Sequence, residues 1–132
     1  MRKKILVVDD EAEIVELVSF SLKQAGYSIG TAFNGMDAIK KARSLEPDLI
    51  VLDVMMPELD GFAVCEILRR DPATASIPIM MLTALSSELG RVAGLGSGAS
   101  DFVTKPFSPR LLVQRIEELL QKASNITQTV TS

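Results

Sequence analysis

Five positions carry side chains suited to one chemistry: the adjacent carboxylates Asp9 and Asp10, the carboxylate Asp53, the hydroxyl of Thr83 and the ammonium of Lys105. Each stands at or just past the end of a short apolar or weakly apolar run. Asp9-Asp10 follow Ile5-Leu6-Val7-Val8, and Asp53 closes Leu49-Ile50-Val51-Leu52. Thr83-Ala84 follow the run from Ile77 to Leu82, and Lys105-Pro106 follow Ser100 to Thr104. If these runs are parallel strands, all five groups share one edge of the sheet, where ligands of such sheets bind. Three clustered carboxylates repel one another unless a cation lies among them. The chain has no histidine and one cysteine, so its ligands there are hard oxygens. Such a set suits Mg²⁺, with Mn²⁺ or Ca²⁺ as substitutes. A divalent ion beside a lysine makes a site for a phosphoryl group.

The elements that must position these residues are legible as an alternation. Continuous apolar runs, without a polar face, suit strands buried on both sides. A weaker run lies at Ser28 to Ala32. Between the runs are helical stripes. The first is Ile14, Leu17, Val18, Leu22 and Ala25, stopped by Gly26. Ala38, Ile39, Ala42 and Leu45 form the second, opened by Asn34 and closed before Pro47, and Phe62, Cys65 and Leu68 form the third. Ser108-Pro109 is an N-cap with proline at the first helical position, ahead of Leu112, Ile116, Leu119 and Leu120. The helix expected near Ser86 to Leu95 is crowded by Gly90, Gly94, Gly96 and Gly98, which predicts a short or mobile element. Five strands alternating with five helices predict an α/β, doubly wound parallel sheet. Residues 1–123 form the expected domain, and the polar segment 124–132 reads as a tail or the start of a linker.

Composition narrows the field. At 132 residues, 47% hydrophobic and 23% charged, the chain fits one ordinary globular domain. The net charge of −3 lacks the basic footprint of a nucleic-acid binder. Without histidine there is no Ser-His-Asp triad, no Cys-His dyad and no phosphohistidine on this chain. The lone Cys65 allows no internal disulfide, as in a reducing compartment, and reads as a small buried apolar residue. No apolar run approaches the ~20 residues of a membrane span. Met55, Met56, Met80 and Met81 read as core filling, and Arg69-Arg70 as a solvated helix end.

The residues also occur in a known arrangement. Asp9-Asp10, then Asp53 followed by Val54-Met55-Met56-Pro57 and Asp60-Gly61, then Thr83-Ala84, then Asp101 to Phe107 with Lys105-Pro106, resemble the receiver domain of two-component response regulators. The resemblance runs from about Lys3 to Lys122. It implies a flavodoxin-like fold with strand order 2-1-3-4-5. It implies that Asp53 accepts a phosphoryl group from a sensor histidine kinase or a phosphotransfer protein, forming an aspartyl phosphate. Asp10, Asp53 and the backbone carbonyl of Met55 are then direct Mg²⁺ ligands, with Asp9 acting through water. Lys105 pairs with Asp53 and then the phosphate, and Thr83 donates to a phosphate oxygen. The Lys105-Pro106 peptide is expected to be cis. Thr83 and Phe102 form the switch that alters the face made by the fourth helix, fifth strand and fifth helix. A downstream protein or fused effector domain reads that face, which also serves a possible homodimer in the phosphorylated state. The family further implies a cytoplasmic signalling phosphoprotein that slowly dephosphorylates itself and has no separate substrate.

Several positions depart from the family pattern. Phe102 stands where tyrosine is commoner, Ser100 where an acid is frequent, and Leu111 where the DNA-binding subclass often has an acid. Asp101 and Arg115 remain and could pair across a symmetric dimer. Among rivals, a haloacid-dehalogenase-like phosphatase needs a second Asp at the position of Met55. A flavodoxin-like flavin carrier would find Asp9-Asp10-Glu11 repelling its phosphate, and no GxxxxGK[ST] loop is present for a nucleotide triphosphatase. Alone, Asp9-Asp10 could simply cap a helix. The remaining alternative is a pseudo-receiver, a binding module that works without phosphorylation.

Overall fold

A computed structural model describes residues 2–84 and 96–131, with side chains to Ser124. Five strands, β1 (Lys4–Val8), β2 (Ser28–Ala32), β3 (Leu49–Asp53), β4 (Ile79–Thr83) and β5 (Asp101–Thr104), form one sheet. Its order is β2-β1-β3-β4-β5, and every pairing is parallel. Four helices are described: α1 (Ala12–Gln24), α2 (Gly35–Leu45), α3 (Gly61–Arg70) and α4 (Pro109–Thr131). The fold is the doubly wound sheet expected from the alternation. The helix expected near Ser86 to Leu95 lies outside the described residues.

The sheet separates two cores, because successive strand residues point to opposite faces. On one face Leu6, Val8, Ile50, Leu52, Ile79 and Met81 meet Ala38 and Ala42 of α2 and Val64 and Leu68 of α3. On the other, Ile5, Val7, Leu49, Val51, Met80 and Leu82 meet Val15, Val18 and Leu22 of α1 and Leu112, Ile116 and Leu120 of α4. Both phases of β3 and β4, and of β1 from Ile5 onward, are therefore apolar and buried, which is why these runs do not alternate. Each fully buried Leu or Ile contributes roughly 1.5–3 kcal/mol of transfer free energy. The outer strands β2 and β5 are mostly half-buried, which accounts for their weaker sequence signal.

Helix ends follow the sequence signals. Asn34 Oδ1 accepts from the Asp37 amide at 2.8 Å, Asp60 Oδ1 from the Ala63 amide at 2.9 Å, and Ser108 Oγ from the Leu111 amide at 3.4 Å. Three readings need correction. Leu17 is 43% exposed, because the buried stripe of α1 runs through Val15, Val18, Ser19 and Leu22. Met55 is exposed, since it lies in the turn after β3 rather than in the core. Arg69 is not a solvated end: its guanidinium donates to the carbonyls of Ala75, Ile77 and Gly98. The backbone of α4 is helical to Thr131, into the polar segment 124–132; polarity decides what faces water, not whether a segment is helical.

Candidate functional site

The strand order places β3 at the centre, with β1 on one side and β4 on the other. Val8 pairs with Leu52 and Asp53 with Leu82, so the last residues of the three strands lie side by side. Asp9 and Asp10 follow β1, Asp53 ends β3 and Thr83 ends β4. Asp9, Asp53 and Thr83 are buried, whereas Asp10 and Ala84 are exposed. One carboxylate oxygen from each of Asp9, Asp10 and Asp53 lies within 4.8 Å of the others, a set able to hold a metal ion.

Lys105 follows β5 and reaches back over the end of β4. Its Nζ lies 3.1 Å from Asp53 Oδ1 and 3.1 Å from Asp9 Oδ2. The sequence paired it with Asp53 alone; Asp9 is a second partner that only the fold reveals. The Lys105 amide donates to the Thr83 carbonyl at 2.7 Å, and the Lys105-Pro106 peptide is cis. Asp9 is no simple helix cap: Oδ1 accepts from the Glu11 amide at 3.0 Å while Oδ2 faces Lys105. Both Asp9 oxygens are thus engaged by the protein, whereas Asp10 faces solvent.

Burial pushes the Asp53 carboxyl up to about 6; its bond from Lys105 opposes this, the neighbouring Asp9 charge adds to it, and the Lys105 charge and the Met55 amide oppose it. Burial disfavours the Lys105 ammonium, but its bonds to Asp53 and Asp9 outweigh that and raise its pKa. Burial and the Asp9 charge thus work against the Asp53 charge, and the Lys105 countercharge works for it.

The turn after β3 shapes the mouth of this site. The Val54 amide donates to the Leu82 carbonyl and the Gly61 amide to the Val54 carbonyl, each at 2.9 Å. A Cβ on Gly61 would run into the Asp53 carbonyl oxygen and lie 2.8 Å from Val54 Cα. Only glycine lets α3 start this close to the end of β3. The motif contained Gly61, but this close approach required coordinates. Phe102, half-buried on β5, packs against the core under α2 and α3. Asp101 and Arg115 form a bidentate pair within one chain, with Nη2 at 2.7 and 2.8 Å from the two carboxylate oxygens.

Known proteins resemble this chain along its length. The sequence model of the family described as "Response regulator receiver domain" matches residues 5–117. The alkaline phosphatase synthesis transcriptional regulatory protein PhoP of Bacillus subtilis is 50% identical over 123 residues, covering 93% of this chain and 50% of that protein. The DNA-binding dual master transcriptional regulator RpaA of Synechocystis is 45% identical over 125 residues, covering 95% and 52%. The chain spans about half the length of these curated relatives. Among solved structures, the chemotaxis protein CheY4 of Vibrio cholerae superposes with a TM-score of 0.85 at 34% identity, covering 90% of this chain and 99% of that one. The receiver domain of the Francisella response regulator 1452 gives 0.86 at 35% identity, covering 92% and 98%. The family match over most of the sequence and the parallel sheet beneath the acidic cluster agree: the chain belongs to the response regulator receiver domain family of two-component systems.

Proposed function

We propose that this chain is a phosphorylation-dependent switch in which Asp53 accepts a phosphoryl group from a phosphohistidine on a sensor histidine kinase or phosphotransfer protein. The observation that carries this reading is the buried Asp53 carboxylate, bonded to the Lys105 ammonium, with Asp9 and Asp10 beside it. In the transfer, an Asp53 carboxylate oxygen forms the new P–O bond as the donor's P–N bond breaks, and the imidazole leaves and takes up a proton. Asp10, Asp53 and the Met55 carbonyl are the proposed direct holders of Mg²⁺, with Mn²⁺ or Ca²⁺ as substitutes. Asp9, whose oxygens already accept from Glu11 and Lys105, suits a water-mediated role. When bound there, Mg²⁺ supplies positive charge to the phosphoryl oxygens. Lys105 follows the charge from the carboxylate to the phosphate, and Thr83 donates its hydroxyl to a phosphate oxygen.

Thr83 and Phe102 are the proposed switch, and the face of β5 and α4 its output surface. A downstream protein or fused effector domain reads that face, as the transcriptional regulators among the relatives suggest. The chain itself, with net charge −3, makes no direct nucleic-acid contact in this reading. Among the described residues no helix is long and apolar enough to cross a membrane. We place the switch in the cytoplasm with its family. A homodimer through the same face must open or share the Asp101–Arg115 pair. The Met55 position offers no second acid for hydrolysis, so autodephosphorylation is slow and there is no separate substrate.

The test is intact mass after incubation with acetyl phosphate, with and without Mg²⁺, beside Asp53→Asn. The expected result is one Mg²⁺-dependent, hydroxylamine-labile phosphoryl adduct that the variant lacks. A folded chain that binds no Mg²⁺ and takes no adduct from either acetyl phosphate or a histidine kinase would be the pseudo-receiver instead.

A further inference from the structure

Arg69, the penultimate residue of α3, lies far from Asp53 in the chain's own layout, at the other end of the strands. Its Nε donates to the Gly98 carbonyl at 2.9 Å, and its Nη1 to the carbonyls of Ala75 at 3.0 Å and Ile77 at 2.7 Å. Ala75 and Ile77 lead into β4, whose far end carries Thr83; Gly98 leads into β5, whose far end leads to Lys105. One planar, permanently charged guanidinium thus joins the entries of the two strands that deliver the hydroxyl and the ammonium.

The joint continues through Ser100. The Ile79 amide donates to Ser100 Oγ at 3.0 Å, and the Ser100 amide to the Ile79 carbonyl at 2.9 Å. The ladder then runs from Met80 opposite Asp101 to Thr83 opposite Thr104, and ends where the Lys105 amide meets the Thr83 carbonyl. Among the described residues β5 is a four-residue strand at the sheet edge, paired with β4 alone. Four residues give β5 few ladder positions to hold its register, and a slip of one residue would exchange its faces and expose the buried Val103. Gly98 belongs to the same arrangement. It has φ +104°, and a Cβ there would lie 2.8 Å from Arg69 Cγ, so the segment crosses the arginine stem at a distance only glycine accepts.

We propose that Arg69 is a positioning residue for the site: by holding the entries of β4 and β5 together, it fixes the register that places Lys105 between Asp9 and Asp53. It touches neither metal ligands nor phosphate. Asp9 and Asp10 follow β1 and Asp53 ends β3, two strands that Arg69 does not join. Its loss should therefore separate two properties that a general loss of stability would lower together. The kinetic arm of the test rests on the phosphoacceptor reading; the spectroscopic arm does not.

The experiment compares the full chain with Arg69→Ala, Arg69→Lys and Thr74→Val. Thr74 Oγ donates to the Leu68 carbonyl at 2.7 Å, so Thr74→Val loosens the same helix end without reaching β5. For Arg69→Ala we expect shifted amide resonances at Thr83 and Lys105. We expect Mg²⁺ affinity, by NMR titration, to be equal to or tighter than the parent's. The initial rate of Asp53 phosphorylation by acetyl phosphate at saturating Mg²⁺ should fall about tenfold or more, as small misplacements do. Arg69→Lys, whose three donors radiate from one nitrogen and cannot span the carbonyls that Nε and Nη1 reach separately, should recover part of the rate, and Thr74→Val should stay within about twofold of the parent. Parent-like resonances and rate in a folded Arg69→Ala would overturn the proposal, as would an equal loss in Thr74→Val. If Arg69→Ala does not fold, the same comparison on Arg69→Lys decides. If the parent itself takes no phosphoryl group, the phosphoacceptor reading fails, and the Thr83 and Lys105 resonances still decide for or against Arg69.

Discussion

Ionising Asp53 works against the fold. Burial pushes its carboxyl from the ordinary value of 3.8 up to about 6 in the folded chain. A raised carboxyl pKa means that the folded state binds the proton more tightly. The penalty is absent below about pH 4, builds through pH 6 and is complete above it. Lys105, whose pKa is also raised, loses its contribution only well above neutral pH and leaves this window alone. Asp53→Asn should therefore raise metal-free stability at pH 7.5, by on the order of 1–2 kcal/mol, with the gain vanishing toward pH 4. Urea denaturation at the two pH values checks this; a variant no more stable than the parent at pH 7.5 would mean that the Lys105 bonds outweigh burial. At this scale the sequence was informative about residue types, since Asp9, Asp10, Asp53, Thr83 and Lys105 all stand at strand ends. Which oxygen of which acid meets Lys105 was not legible. Asp9 and Lys105 are 96 positions apart, and their contact follows from the order in which strands assemble.

Elements were legible where periodicity and caps act locally. Asn34 and Ser108 open their helices as read, and β2 runs over Ser28–Ala32 as its weak apolar run indicated. The reading failed where long-range packing decides. Leu17 fits the apolar stripe of α1 but faces outward, and nothing local to Arg69-Arg70 says which arginine turns inward to three carbonyls. One helix end shows a local rule broken. Glu46 caps α2 with φ 48°, a conformation in which a side chain is strained and glycine is not. Glu46→Gly should therefore stabilise the protein by about 0.5 kcal/mol despite its greater unfolded-chain entropy. The urea midpoint should rise with an unchanged m-value, and a fall would place a native contact on the exposed Glu46 side chain.

For the whole molecule, two cores lie on either side of one sheet. Leu120 is the last buried side chain of α4 among the described residues. We propose 1–123 as the domain boundary. Removing residues 125–132, which follow the last buried side chain described, should change the thermal midpoint by less than about 2 °C. A larger drop, followed by calorimetry, would move the boundary outward. The layout also separates duties by end: one sheet edge gathers charge, and the other holds the strand entries that Arg69 joins.

The position of Lys105 between Asp9 and Asp53 has a consequence for how such a protein meets its surroundings. The chain carries a resident substitute for the cation its acids attract. On the proposed reading, the resident ammonium lets the chain assemble without waiting for a divalent ion, and scarcity of such ions would stop phosphoryl uptake without unfolding the chain.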